Sequence, residues 1–194
     1  MKTVFFDVDT QIDFLYPAGA LYVPGAENIV NRVAALNKYA EVNGIPVVST
    51  MDAHTEDDPE FLQWPPHCVV GTAGQHKPVA TMLEKRVVIP NRSCAVEVGD
   101  ARQILLEKQS LDCFVNPNLP SLLDHLRAER YVVYGVVTEI CVRHAAMGLL
   151  KTGGRVKLVA DAVRSLNDAE CATFFAEFAA GGGTLTSTAQ VIGG

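Results

Sequence analysis

Three residue types that can share one reaction stand at or just past the ends of three predicted strands. Asp9 follows strand 3–8, Lys108 follows strand 103–106, and Cys141 lies five residues beyond strand 131–136. In open α/β sheets, ligands bind just beyond the carboxyl ends of the strands, so the topology brings an acid, an amine and a thiol to one edge. A thiol attacks as its thiolate, a carboxylate can take the proton, and an amine can steady the charged pair. With Thr138 as cap of the following helix, Cys141 falls in the first turn, where free N–H groups and the helix dipole favour a thiolate. A neighbouring Lys⁺ lowers the thiol pKa further. The same N–H groups can hold an oxyanion, worth roughly 3 kcal/mol per donor in well-studied cases. Ala145, Ala146 and Gly148 let that helix lie close to the sheet. Each residue also has a plain reading: Cys141 as a core cysteine, Asp9 as a cap or solvated carboxylate, Lys108 as a surface lysine. Position alone leaves these open, and the convergence of all three weakens them.

A second cluster follows strand 45–50. Asp52 and His54 are spaced D-x-H, and His67 comes later, after Trp64-Pro65-Pro66. Two imidazoles and a carboxylate suit a divalent metal that keeps positions open to water or substrate. Glu56, Asp57, Asp58 and Glu60 supply further carboxylates, and the alternative is a solvated acidic loop that happens to contain histidine. Trp64, the one tryptophan of the chain, either packs this loop down or walls a pocket for a flat ring.

Elements that could position these residues are legible in the hydrophobic pattern. β-rich runs at 3–8, 45–50, 87–89, 103–106, 131–136, 156–159 and 184–187 alternate with helical stripes. Ile29, Val33, Leu36 and Ala40 form one stripe; Leu119, Leu122, Leu123 and Leu126 form another, with Pro120 tolerated in its first turn. Cys171, Phe174, Phe175 and Phe178 form a third, behind a capping-box pattern at Asn167-x-x-Glu170. This rhythm predicts one α/β domain over residues 1–194, a three-layer Rossmann-like fold. Its expected sheet is mostly parallel and six-stranded, with helices on both faces. A net charge of −6 without a basic run gives no reason to expect nucleic acid or an anionic membrane as partner. Five cysteines without a C-x-x-C pair fit a reducing cytoplasm and not a disulfide framework. No stretch approaches the roughly 20 apolar residues of a membrane span, and Asp7 and Asp9 break the first apolar run too early for a signal peptide. Gly181-Gly182-Gly183 lacks the Gly-Lys-Ser/Thr of a phosphate loop.

Taken in order, the motifs resemble those of the nicotinamidase/isochorismatase-like cysteine hydrolases. They are Asp9-Thr10-Gln11-Ile12-Asp13-Phe14, Asp52-Ala53-His54, Trp64-Pro65-Pro66-His67-Cys68-Val69-Val70-Gly71-Thr72, the stretch from Lys108 to Phe114, Gly135-Val136-Val137-Thr138-Glu139-Ile140-Cys141-Val142, and Ala160-Asp161-Ala162. The resemblance implies an Asp9–Lys108–Cys141 triad that opens a small amide through a thioester. It implies a cis peptide before Val137, with the N–H groups of Val137 and Cys141 as the oxyanion hole. It implies a divalent metal on Asp52, His54 and His67, zinc first and iron or manganese as alternatives, and a pocket walled by Phe14 and Trp64. Nicotinamide is the leading substrate, and a homo-oligomer, dimer or tetramer, is expected. Two departures bear on the substrate. Asp58, with Glu60 nearby, stands where these enzymes usually place another histidine, and is expected as an added carboxylate ligand. Residues 109–113 lack the tyrosine often found there. The alternatives are a carbamoyl or maleamate-type amide as substrate, or a non-catalytic module that uses Cys141 as a redox sensor.

Overall fold

Strand and helix alternate as the pattern predicts, and every strand pairing is parallel. The computed structural model describes residues 2–193. Its strands are β1 (Thr3–Val8), β2 (Val47–Asp52), β3 (Arg86–Ile89), β4 (Gln103–Lys108), β5 (Arg130–Val136), β6 (Arg155–Arg164) and β7 (Thr184–Thr186), in the order β3-β4-β2-β1-β5-β6-β7. The sheet therefore has seven strands where six were expected. The additional member is the short, largely exposed β7, which pairs with β6 at the edge. Its residues fall within the β-rich run 184–187, so the pattern marks the strand itself although the expected sheet leaves it out.

The helices are α1 (Ile12–Leu15), α2 (Val30–Val42), α3 (Leu119–Leu126), α4 (Arg143–Lys151), α5 (Asp168–Ala180) and α6 (Thr188–Ile192). Strand residues alternate between two cores. Val4, Phe6, Val8, Ile104, Leu106 and Val133 pack under α3, α4 and α5 through Leu119, Leu122, Ala145, Leu149, Phe174 and Phe178. Phe5, Val47, Val132 and Tyr134 pack under α2 through Val33, Leu36 and Ala40. Strands covered on both faces read as continuous apolar runs, and β1 and β5 are buried along nearly their whole length.

Two boundaries matter for chemistry. β2 and β4 each run two residues past their predicted ends, so Asp52 and Lys108 are the last strand residues and pair in register. Charged residues normally argue for a strand end, but here each neutralises the other and the ladder continues, with Ala53 N–H donating to the Lys108 carbonyl at 2.9 Å. At α5, Asn167 caps as expected, accepting from the N–H groups of Ala169 and Glu170 at 3.0 and 3.2 Å. The capping box is not completed, because Glu170 contacts the Asn167 side-chain amide. The backbone N–H of Asn167 instead donates to Glu139, which also accepts from Leu166, each at 2.8 Å.

Gly135 is the fold's tightest backbone position. Its φ is +124°, and a Cβ there would run into the Val8 carbonyl of β1. Gly135→Ala is expected to lower stability by about 2–3 kcal/mol, read as a lower urea midpoint at unchanged slope.

Candidate active site

The sheet order places β1 between β2 and β5, the point from which the chain winds outward in both directions. Open α/β sheets bind ligands at this switch point. Asp9, Asp52, Lys108 and Cys141 all meet there, delivered by β1, β2, β4 and the segment after β5. All four are buried.

Lys108 is the hub. Its Nζ lies 2.9 Å from Asp9 Oδ2, 4.0 Å from Cys141 Sγ and 2.9 Å from the Ser110 carbonyl, and it makes a very short contact with Asp52 Oδ1. Burial disfavours its charge, but Asp52 and then Asp9 outweigh this and hold its pKa well above the ordinary lysine value. Asp9 is raised instead: burial pushes it above the usual carboxylate range, and Lys108 offsets only part of that. Its Oδ1 accepts from the Thr50 hydroxyl at 2.7 Å. Its Oδ2, though beside Lys108, receives no aligned hydrogen bond and keeps a lone pair for the thiol proton.

Cys141 departs from expectation. Residues Thr138–Val142 form a π-helical turn ahead of α4, entered from Val137, and Thr138 makes no capping hydrogen bond. The resting thiolate expected from a helix start is not supported. Burial pushes the thiol pKa well above its ordinary value, and the Lys108 charge that opposes this is already balanced by two carboxylates. Burial pushes both the thiol and the neighbouring Asp9 carboxyl up, an arrangement that calls for proton transfer to accompany attack. The Val136–Val137 peptide is cis, and among the described residues the Val137 N–H has no backbone acceptor.

Asp52, His54 and His67 lie beside the triad with ligand atoms within 4.8 Å of one another. Asp52 Oδ2 is 3.8 Å from His54 Nε2 and 3.6 Å from His67 Nε2. Tetrahedral ligands on a zinc ion stand about 3.4 Å apart, so these residues fit a metal. Two further observations agree. Nε2 of buried His54 lacks a hydrogen bond, and His67 Nδ1 sits 2.8 Å from the Pro65 carbonyl, an arrangement that leaves its Nε2 as the free lone pair. Burial lowers the His54 pKa, but Asp52 and Asp58 raise it by more, so the surroundings favour positive charge.

Asp58, expected as a further ligand, is corrected by its position. Its Oδ2 is 3.0 Å from His54 Nδ1, behind the ring, and it lies outside the three-residue ligand group. The i, i+4 spacing wraps the acidic loop around the histidine and sends Asp58 to its far side. Glu60 is on the near side, with Oε1 3.9 Å from His67 Nε2.

A small, partly open cavity lies against these groups. Phe14 and Trp64 line it as expected, and Leu111, Val137, Ile140 and Leu166 add apolar walls. Asp52, Glu60, His67 and Cys141 supply its polar surface. Leu111, Ile140 and Leu166 carried no signal in the sequence, since aliphatic side chains on loops or at a helix start resemble packing residues. Gln11, Asp13 and Thr50 were also missed. Gln11 clamps the Asp52 backbone, accepting from its N–H at 2.7 Å and donating to its carbonyl at 2.9 Å. Asp13 accepts from the Cys68 N–H at 2.7 Å and so fixes the loop that carries His67. For Gln11 and Asp13 the signal was polarity soon after a buried strand; Thr50 lies within β2 and offered none.

Comparison with known proteins agrees with this geometry. The isochorismatase domain family matches residues 3–190. The nicotinamidase of Escherichia coli is 26% identical over 213 residues, covering 94% of this chain and 93% of the relative. The pyrazinamidase of Pyrococcus horikoshii, solved in complex with zinc, superposes with a TM-score of 0.79 at 26% identity, over 96% of this chain and 99% of its own. The N-carbamoylsarcosine amidase of Thermoplasma acidophilum superposes equally well, with a TM-score of 0.79 at 26% identity over 97% of each chain.

Proposed function

This chain belongs to the isochorismatase family, and we propose that within it the protein is a cysteine-dependent amidohydrolase that cleaves a small neutral aromatic amide, nicotinamide first, to the acid and ammonia. The observation that carries this reading is one cavity lined by Cys141 together with Asp52 and His67, with Lys108 buried behind them in contact with Asp9, Asp52 and Cys141.

In the proposed reaction Asp9 takes the Cys141 proton as the sulfur attacks the amide carbonyl. The N–H groups of Val137 and Cys141 receive the negative oxygen. Asp9 returns the proton to the amide nitrogen, the C–N bond breaks, and ammonia leaves a thioester on Cys141. Water, losing a proton to Asp9, then cleaves the thioester; the acid departs and the sulfur regains its proton. Lys108 keeps the negative charge tolerable throughout. Asp52, His54 and His67 would hold a divalent cation, zinc first, with Asp58 steadying His54 and Glu60 bordering the open side. When bound, that cation supplies an electrophilic anchor for a ring nitrogen or a water.

The likeness to a carbamoyl-amino-acid amidase raises an anionic substrate as the competitor. A carboxylate-bearing amide needs a cationic partner when it is desolvated. Among the described residues no Lys or Arg lines the cavity, and Glu60 adds a carboxylate to it, so the neutral amide is favoured. A redox-sensor role is disfavoured because Cys141 is buried and that burial pushes its pKa up, whereas oxidation favours an accessible thiolate. Five unpaired cysteines suit a cytoplasmic setting, and the proposed unit is a single domain assembled as a dimer or tetramer, which light scattering tests.

The deciding experiment is ammonia release over a panel of nicotinamide, maleamate and an N-carbamoyl amino acid, with and without chelator. Nicotinamide is expected to exceed the anionic amides by at least about 100-fold in kcat/KM. Chelation should lower that activity at least about tenfold, with recovery on adding zinc. Preference for an anionic amide would overturn the substrate assignment.

A further inference from the structure

Beneath the reacting end of the sheet lies a second buried ion pair, which the proposed reaction does not use. Asp7, two residues before Asp9, is fully buried, and Lys77 Nζ reaches to 3.3 Å from its Oδ2. Thr10 closes a triangle: its hydroxyl donates to Asp7 Oδ1 at 2.6 Å and accepts from Lys77 Nζ at 3.0 Å. Ser49 of β2 donates to Asp7 Oδ2 at 2.9 Å, and Gln103 of β4 donates to Ser49 Oγ at 2.9 Å. The group thus spans three strands, one layer below Asp9.

What this group holds is the turn that carries Asp9. Asp9 has φ +49°, a conformation that a non-glycine residue keeps only when its surroundings impose it. Upstream, the Asp9 N–H is fixed to the Thr50 carbonyl at 3.1 Å. Downstream, Thr10 is pinned by Asp7 and Lys77, and Gln11 by the Asp52 backbone and the Gln75 carbonyl. Lys77 belongs to the same loop, whose His76 carbonyl accepts from the Ile12 N–H at 2.8 Å. A buried ion pair is a poor source of stability, since well-packed apolar residues in its place are often neutral or better. Asp7, Ser49 and Lys77 lie on the sheet face that otherwise packs Phe5, Val47 and Tyr134, where apolar side chains would fit. Placement of a proton acceptor is a different matter, because an error of about 1 Å costs on the order of 100-fold in rate.

We propose that Lys77 and Asp7, acting through the Thr10 hydroxyl, are positioning residues that hold the turn presenting Asp9 to Cys141. The inference rests on Asp9 being the base for Cys141, and its test separates the two. The readout is the rate of Cys141 alkylation by iodoacetamide, resolved by peptide mass spectrometry, which needs neither substrate nor metal. Thr10→Val removes the hydroxyl at constant shape, and Thr10→Ser restores it. The double variant Asp7→Leu/Lys77→Met removes the pair without stranding a charge. Thr10→Val and the double variant are expected to slow Cys141 alkylation on the order of tenfold. Thr10→Ser should react like the wild type, and the melting temperature of the double variant should not fall. Wild-type alkylation in Thr10→Val, with slow alkylation in Asp9→Asn, would overturn the positioning role. Wild-type alkylation in Asp9→Asn would instead remove the base assignment beneath it. If the double variant does not fold, Thr10→Val against Thr10→Ser decides.

Discussion

Cys141→Ala is expected to abolish ammonia release, by at least about 10⁴-fold in kcat, while the melting temperature and the metal content stay close to those of the wild type. The size of the loss comes from the chemistry: without the sulfur there is no thioester, and water would have to attack the amide directly in a site that holds its base for a thiol. The small structural cost comes from packing. Cys141 is only 7% exposed but faces the cavity, so removing its sulfur widens an existing space and opens no new void in the core. The sulfur is also outside the Asp-His-His group, so metal content is an internal control. Residual turnover near the wild-type rate would sink the covalent route and point to a metal-directed attack by water.

Lys108→Met is expected to be the most damaging single substitution to both folding and activity. It leaves Asp9 and Asp52, both buried, facing each other without the cation that now contacts each. Breaking a buried pair from one side costs about 3–5 kcal/mol at neutral pH. The measurement is urea unfolding of chelator-treated protein, since a bound metal would compensate part of the charge. The pH dependence has a definite sign. In the wild type burial raises Asp52, but Lys108 and the histidines more than offset it, so its pKa is lowered and its contribution to stability is lost as pH falls. In the variant the burial effect is left unopposed by Lys108. Carboxylates whose folded pKa is raised contribute stability at low pH and lose it as pH rises. The gap between variant and wild type should therefore narrow as pH drops from 7 towards 5. A gap that stays constant or widens would mean that Lys108 is not what neutralises the two acids.

Much of this site is legible in the sequence. Asp9, Lys108 and Cys141 stand out because parallel strands deliver the residues after them to one edge, and strand ends can be read from hydrophobic pattern. Asp52, His54 and His67 stand out because metal chemistry restricts residue type and spacing, and Trp64 because an aromatic on a polar loop needs a surface to cover. The run 184–187 is legible as a strand, but its place at the sheet edge beside β6 comes only with the fold. What the tertiary structure alone decided is how these groups act on each other. Lys108 joins Asp9 and Cys141 to the Asp52, His54 and His67 group through Asp52, a contact between residues 56 apart in the chain that no local spacing encodes. Asp58 stands behind His54, because one loop's path determines which side of a ring a carboxylate reaches. The upward push on the Cys141 pKa runs against the expectation from helix position: desolvation depends on everything packed around the sulfur, and here it outweighs the nearby lysine. The sequence by itself determined which chemical groups are present and to which edge of the sheet they go. Distance and burial, which set charge and proton order, exist only once the chain has folded.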